Sequence, residues 1–167
     1  YSWYLDSVAD NWDVLVLNDY EAIIPLPWRS KYFIKYVYPP AWTQQLGVFS
    51  EKEIPEKLIL DFIKAIPKKF LKVTIQFNSG NVLTSLKKEK RTNYILPLNK
   101  SYKETYINYR NSRQQQLTQA QKNELTIKNC SFKDLETIAK QDYSFLKISD
   151  AAYKRLKLLT ETVLKNK

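Results

Sequence analysis

Two glycines and no histidine among 167 residues set the narrowest limit on what this chain can form. A phosphate loop needs several glycines so that backbone amides can approach the ligand. A Ser-His or Cys-His nucleophile needs an imidazole as base, and a zinc site needs clustered Cys and His. With one Cys, two Gly and no His, none of these can be assembled. Met is absent too, and Tyr1-Ser2-Trp3-Tyr4-Leu5 reads as the interior of a domain rather than a frayed start, so a trimmed chain or fragment is expected.

The 44% apolar and 26% charged residues are those of a globular protein able to close a core, as one domain or two small lobes. Apolar runs are interrupted within a few residues, by Asp13 ahead of Val14-Leu15-Val16-Leu17 and by Lys35 between Tyr32 and Tyr38. No membrane span or signal peptide is therefore expected, and the setting these features indicate is cytoplasmic, in keeping with the lone Cys130. A net charge of +10 favours phosphates, acidic substrates or membrane surfaces as partners. The basic residues collect at Lys68-Lys69, at Lys87 to Arg91 and from Lys154 to Lys167, where a solvated face is the favoured reading over a nucleic-acid site.

The first third reads as antiparallel sheet. Asp13 to Leu17 and Tyr20 to Leu26 flank Asn18-Asp19, a pair suited to a two-residue hairpin turn. After residues 27–31, the aromatic and β-branched run Tyr32 to Tyr38 predicts a third strand ending at Pro39-Pro40. Ser50-Glu51-Lys52-Glu53 has the capping-box form, predicting a helix with Leu58, Phe62, Ala65 and Ile66 on one face. Leu71, Val73, Ile75 and Phe77 alternate with polar residues as a strand, Asn78 to Asn81 is a turn, and Tyr94 to Leu98 is a further short strand. From Ser101 one helix of about five turns is predicted, with Tyr102, Tyr106, Tyr109, Leu117 and Ala120 on a stripe. A strand over Leu125 to Lys128 follows, then a helix from Ser131 burying Leu135, Ile138 and Ala139. In the last helix Ala152, Leu156, Leu159 and Val163 share a face that lacks a partner.

Ser2 to Asp6, Asn11-Trp12-Asp13, Ile24 to Arg29 and Trp42 to Ser50 together resemble the amino-terminal half of bacterial FemABX-like acyltransferases, built of tandem GNAT-fold lobes. The similarity continues through Tyr94 to Leu98, the helix from Tyr102 to Asn123 and the final helix, nearly all of this chain but about half of a typical member. The resemblance implies an α/β (α+β) fold: a GNAT-like mixed, mainly antiparallel sheet flanked by helices over residues 1–98, with a helical carboxy-terminal part over 99–167. It implies a second lobe carrying much of the donor and acceptor site. It also implies amide formation, in which an amine attacks an acyl group held on coenzyme A or on tRNA, catalysed mainly by positioning and a proton acceptor. The donor would be acyl-CoA or aminoacyl-tRNA for the complete protein, with no cofactor held by this chain alone. Of the signature that holds coenzyme A pyrophosphate, Gln44-Gln45-Leu46-Gly47-Val48-Phe49 matches the first half, with Phe49 where a small residue is required. Relatives tend to carry a Ser or Thr, then basic residues and Ile-x-x-Ala, where this chain has Arg113-Gln114-Gln115-Gln116-Leu117-Thr118-Gln119-Ala120.

Trp28, Arg29, Lys35, Tyr36 and Trp42 form a candidate lining for an acceptor peptide or sugar, with sheet packing as the competing explanation. Gln44 and Gln45 are candidates on the donor side. Arg110 and Arg113 can grip phosphate or carboxylate through paired N–H donors, or stand as ordinary surface arginines. Asp6, Asp10 and Asp13 include candidates for a general base, or cap turns and strand ends. Three functions stay open: an incomplete portion of an acyltransferase, a basic nucleic-acid-binding module, and a non-catalytic assembly domain whose exposed apolar helix faces pair with a second copy; the partners expected are a second lobe of the same chain or a homodimer, and tRNA.

Overall fold

A computed structural model describes residues 1–166 and has a mixed α/β architecture, a mainly antiparallel open sheet flanked by helices. The chain divides into two compact units, one of Tyr1–Leu86 with Phe132–Lys167 and one of Lys87–Ser131. Among the described residues no helix is long and apolar enough to cross a membrane.

In the first unit, helix α1 (Ser2–Val8) leads into strand β1 (Asn11–Leu17), which pairs antiparallel with β2 (Ala22–Lys31) from Asn11↔Trp28 to Leu17↔Ala22. The expected hairpin is present, but its connection is four residues long, with Asn18 (φ 49) and Tyr20 (φ 59) left-handed. The second strand, expected to end at Leu26, runs on through 27–31. Its prolines fit because β4 (Phe49–Ser50) pairs only Ala22 and Ile23, and β3 (Ile34–Val37) only Trp28 to Lys31. Residues 24–26 thus lack a ladder partner on that edge. Pro27 turns its carbonyl there, accepting from the Tyr38 amide at 3.0 Å, and Pro25 shares its parity, so neither ring removes a ladder donor. Strand β3 starts at Ile34 rather than Tyr32, because Tyr32 and Phe33 make the turn.

Helix α2 (Glu56–Ala65) begins with Pro55 as its cap rather than at Ser50. The capping-box reading fails because Ser50 sits in β4 and its hydroxyl donates to the Glu21 carbonyl at 2.8 Å. The helix buries Ile59 and Phe62, with Leu58, Ile63 and Ile66 packed beside them, whereas Ala65 is exposed. Strand β5 (Phe70–Val73) lies parallel to β3, closing the order β1-β2-β3-β5. A bulge between Lys35 and Tyr36 shifts the register, so Phe70 points into the core and Leu71 out, against the predicted alternation. Ile75 and Phe77 pack inward as expected. One core results, centred on Ala22, Ile24, Leu26, Val37, Val48, Ile59, Phe62, Phe70 and Leu83.

The odd-numbered β2 side chains face the opposite side. There α6 (Asp150–Lys165), capped by the Ser149 hydroxyl, packs on α1, with Ser7 Oγ donating to Thr162 Oγ1 at 3.3 Å. The last helix, expected to lack a partner, thus packs on α1, with Ser7 and Thr162 155 residues apart in sequence, while Val163 of the expected face stays exposed. Helix α5 (Phe132–Asp142) forms where predicted, yet Leu135 and Ile138 remain exposed.

In the second unit, the single long helix is instead two, α3 (Tyr102–Ile107), with a full capping box between Ser101 and Glu104, and α4 (Asn111–Lys122). Arg110 is extended (φ −59, ψ 146), and the Gln114 amide donates to the Tyr106 and Tyr109 carbonyls at 3.1 and 3.3 Å, holding the break. Neither Tyr94 to Leu98 nor Leu125 to Lys128 is a strand. Their apolar side chains are exposed and no adjacent strand offers a ladder.

Candidate functional site

Asp10, at the turn between α1 and β1, gathers the densest charge on the α1/α6 face. Arg29 Nε on β2 lies 3.0 Å from one carboxylate oxygen and Arg155 Nη2 on α6 lies 2.5 Å from the other. The Tyr38 hydroxyl donates to the same carboxylate at 3.4 Å, and the Arg29 guanidinium stacks 3.8 Å from the Tyr38 ring centroid. Tyr36, opposite Arg29 in the β2–β3 register, meets Tyr38 edge-on at 6.2 Å. Two guanidiniums share one carboxylate, so this partly exposed face keeps a surplus positive charge between two phenols. Burial pulls the Arg29 pKa down, but the Tyr38 hydroxyl and Asp10 raise it by more. Such an arrangement suits a carboxylate or phosphate group on a ligand. Both carboxylate oxygens of Asp10 are thus taken up by guanidinium groups.

Trp28 stands on the other face of β2 from Arg29. Its indole N–H donates to Asp13 at 3.2 Å, its ring tilts against Phe70 at 6.0 Å, and Lys35 Nζ lies 4.9 Å above it. Lys69 Nζ reaches Asp13 at 2.6 Å, and that hydrogen bond is the main reason the Asp13 pKa falls, with burial opposing it and Trp28 assisting. The sheet therefore separates the expected lining into Trp28 with Lys35 on one side and Arg29 with Tyr36 on the other, since neighbours on a strand point opposite ways.

Trp42 is a joint rather than an open surface. Its indole donates to the Ala152 carbonyl at 2.7 Å, its own carbonyl accepts from the Tyr4 hydroxyl, and its ring packs on buried Tyr153 at 6.2 Å. Gln44 is exposed and Gln45 half-buried at the start of a turn in which Gly47 adopts φ 92. Two amides of that turn are consumed internally: Leu46 N–H donates to the Gln76 carbonyl at 2.6 Å and Val48 N–H to Asn81 Oδ1 at 2.7 Å. The Asn78 and Asn81 side-chain amides donate to the Leu46 and Val48 carbonyls. The Gln44 to Phe49 segment is thus a turn clamped by two asparagines, and those two amides are not free for pyrophosphate.

Beside it an open cleft of about 740 Å³ is lined by Val48, Ser50, Lys52, Glu56, Asn78 and Val82 among others. Glu56 in this wall accepts hydrogen bonds from the Thr84 and Ser85 hydroxyls and amides at 2.5 to 2.8 Å. The Thr84 hydroxyl foremost, and then the Ser85 donors, lower its pKa to about 2.

In the second unit Arg110 and Arg113 are exposed. Tyr102, Tyr106 and Tyr109 form a ladder with successive ring centroids 6.0 Å apart. Tyr102, Lys103, Tyr106, Leu117 and Gln121 line a hollow of about 270 Å³.

Sequence reading missed Arg155 and Tyr38 as partners of Asp10 and Arg29. No local signal marks them, because Asp10 and Arg155 are 145 residues apart. Among the described residues no group of three His, Cys, Asp or Glu is placed to hold a metal ion. No protein-family model, curated protein or solved structure matches the chain at a significant level.

Proposed function

We propose that this chain is part of a bacterial, cytoplasmic FemABX-like acyltransferase of GNAT-like fold, transferring an acyl or aminoacyl group to an amine and inactive without a second lobe or second copy. The observation that carries the reading is the order of elements. An antiparallel β1-β2-β3 meander is followed by α2 and a parallel β5, with helices on both faces, a mixed sheet of the kind the resemblance implies. In the transfer the amine nitrogen bonds to the acyl carbon, the thiolate or ribose oxygen of the donor leaves, and the amine proton passes to a base. Arg29 and Arg155 would hold an anionic group of donor or acceptor, with Tyr36 and Tyr38 beside it. Melting temperature of the full reading-frame product, measured with coenzyme A, acyl-CoA and aminoacyl-tRNA, tests this. One donor raises stability, by about 2.7 kcal/mol at a hundredfold excess over Kd. Indifference to all three overturns the reading.

A second reading, a nucleic-acid-binding module, is favoured by the charge segregation. Residues 87–131 carry ten Lys and Arg against three Asp and Glu, a net +7 of the chain's +10. The tyrosine ladder offers faces for base stacking. Titration with single-stranded RNA at several salt concentrations tests it: each of Arg110→Gln and Arg113→Gln is expected to reduce the salt slope by about one.

A further inference from the structure

The β2–β3 hairpin ends in Tyr32 and Phe33, which are 83% and 102% exposed, and the following Ile34 is also exposed. Both turn residues are left-handed, with φ of 50 and 64. A two-residue hairpin turn of this hand is the place for Asn-Gly, and two bulky aromatics are strained there. The tip is also ringed by cations. Lys31 and Lys35 flank it on the hairpin, and Lys31 Nζ lies 5.4 Å from the Tyr32 ring centroid. The parallel register Lys35↔Phe70 sets exposed Lys68 and then Lys69 at the same end of the sheet. No Asp or Glu occurs between Glu21 and Glu51, and Asp10 and Asp13, at the start of the adjoining β1, are engaged by Arg29, Arg155 and Lys69.

We propose that this hairpin tip docks on an anionic lipid surface, Tyr32, Phe33 and Ile34 entering the interfacial layer while Lys31, Lys35 and Lys68 face the headgroups. The strain is the observation that turns exposure into function. Both aromatics are held at left-handed positions, yet Phe33 projects fully into water and Tyr32, largely exposed, meets only the Lys31 ammonium among the ring contacts of the tip, so packing within the fold does not account for them. Charge complementarity selects the occupant, since lysines beside an aromatic and aliphatic wedge match an anionic interface. Ile34 adds exposed aliphatic surface, which a bilayer interface accepts and base stacking does not use. The docking is peripheral, and it goes beyond the acyl-transfer reading and stands without it.

Co-sedimentation of the full chain with phosphatidylcholine vesicles, with and without about one third phosphatidylglycerol, tests the proposal. Binding to the anionic vesicles is expected, weakening about tenfold in Y32N/F33G, because burying a large apolar side chain is worth about that factor. Asn-Gly suits the turn, so the variant's melting temperature should hold or rise. Phe33→Lys separates insertion from plain charge attraction. It weakens binding if the ring inserts, and stronger binding overturns the proposal. No binding to anionic vesicles, equal binding by Y32N/F33G, or a loss in that variant seen only with a single-stranded oligonucleotide in place of vesicles would each overturn it as well.

Discussion

Gly47 shows how a single residue sets local structure. A Cβ at this position would come within 2.2 Å of Asn81 Oδ1 and 2.8 Å of Phe77, at a φ of 92 that side chains rarely adopt. Gly47→Ala should cost about 2–3 kcal/mol, read as a lower urea midpoint at unchanged slope. Asn81→Ala, which loses the bonds to the Val48 amide and carbonyl, should cost about 1–3 kcal/mol. The double variant should fall well short of the sum, since both changes break the same clamp. In the sequence the segment around Gly47 shows only half of a coenzyme A signature, and its positive φ comes from the fold. The asparagines that hold it were read only as the next turn, because a side-chain bond across 33 residues leaves no periodic trace.

At the scale of elements, the segment after Gly80 is fastened to α2 by Glu56 alone among its acids. Hydrogen bonds from Thr84 first and then Ser85 bring the pKa of this carboxylate from 4.5 to about 2, so the charged form is the one the fold favours. Its stabilising effect is complete above pH 4.5 and is lost as the pH falls toward 2. The stability gap between wild type and Glu56→Gln, followed by denaturant unfolding, should therefore be constant near neutrality and close over that acid range. Periodicity located β1, β2, α2, α5 and α6 but misjudged several ends. Ser50-Glu51-Lys52-Glu53 satisfies the capping-box spacing, yet the Glu21 carbonyl claims the serine. The stripe from Tyr102 to Ala120 runs across a break held by a glutamine side chain, which a hydrophobic pattern does not register. In β5 a bulge changed which residues face inward.

For the whole molecule, the decisive contacts bring residues from the two ends of the chain together. Tyr153 is buried against Trp42, so Tyr153→Ala should cost about 3 kcal/mol and lower the melting temperature accordingly. Arg155→Ala, by contrast, should cost no more than about 1 kcal/mol and less at high salt, because its ion pair with Asp10 is partly exposed. A double-mutant cycle between Asp10 and Arg155 measures that coupling. Limited trypsin digestion should cut first among Lys87, Lys88, Lys90 and Arg91, which are exposed and outside regular structure. By itself the sequence determined the mixed α/β class, the first hairpin, the positions of the main helices and the positive charge, because these follow from local periodicity and composition. Only the tertiary structure decided that Trp28 and Arg29 face opposite sides, that α6 finds its partner in α1, and that Asp10 gathers Arg29, Tyr38 and Arg155. Those outcomes depend on strand register and long-range packing, where the groups that meet are separated by up to 155 residues and carry no shared local pattern.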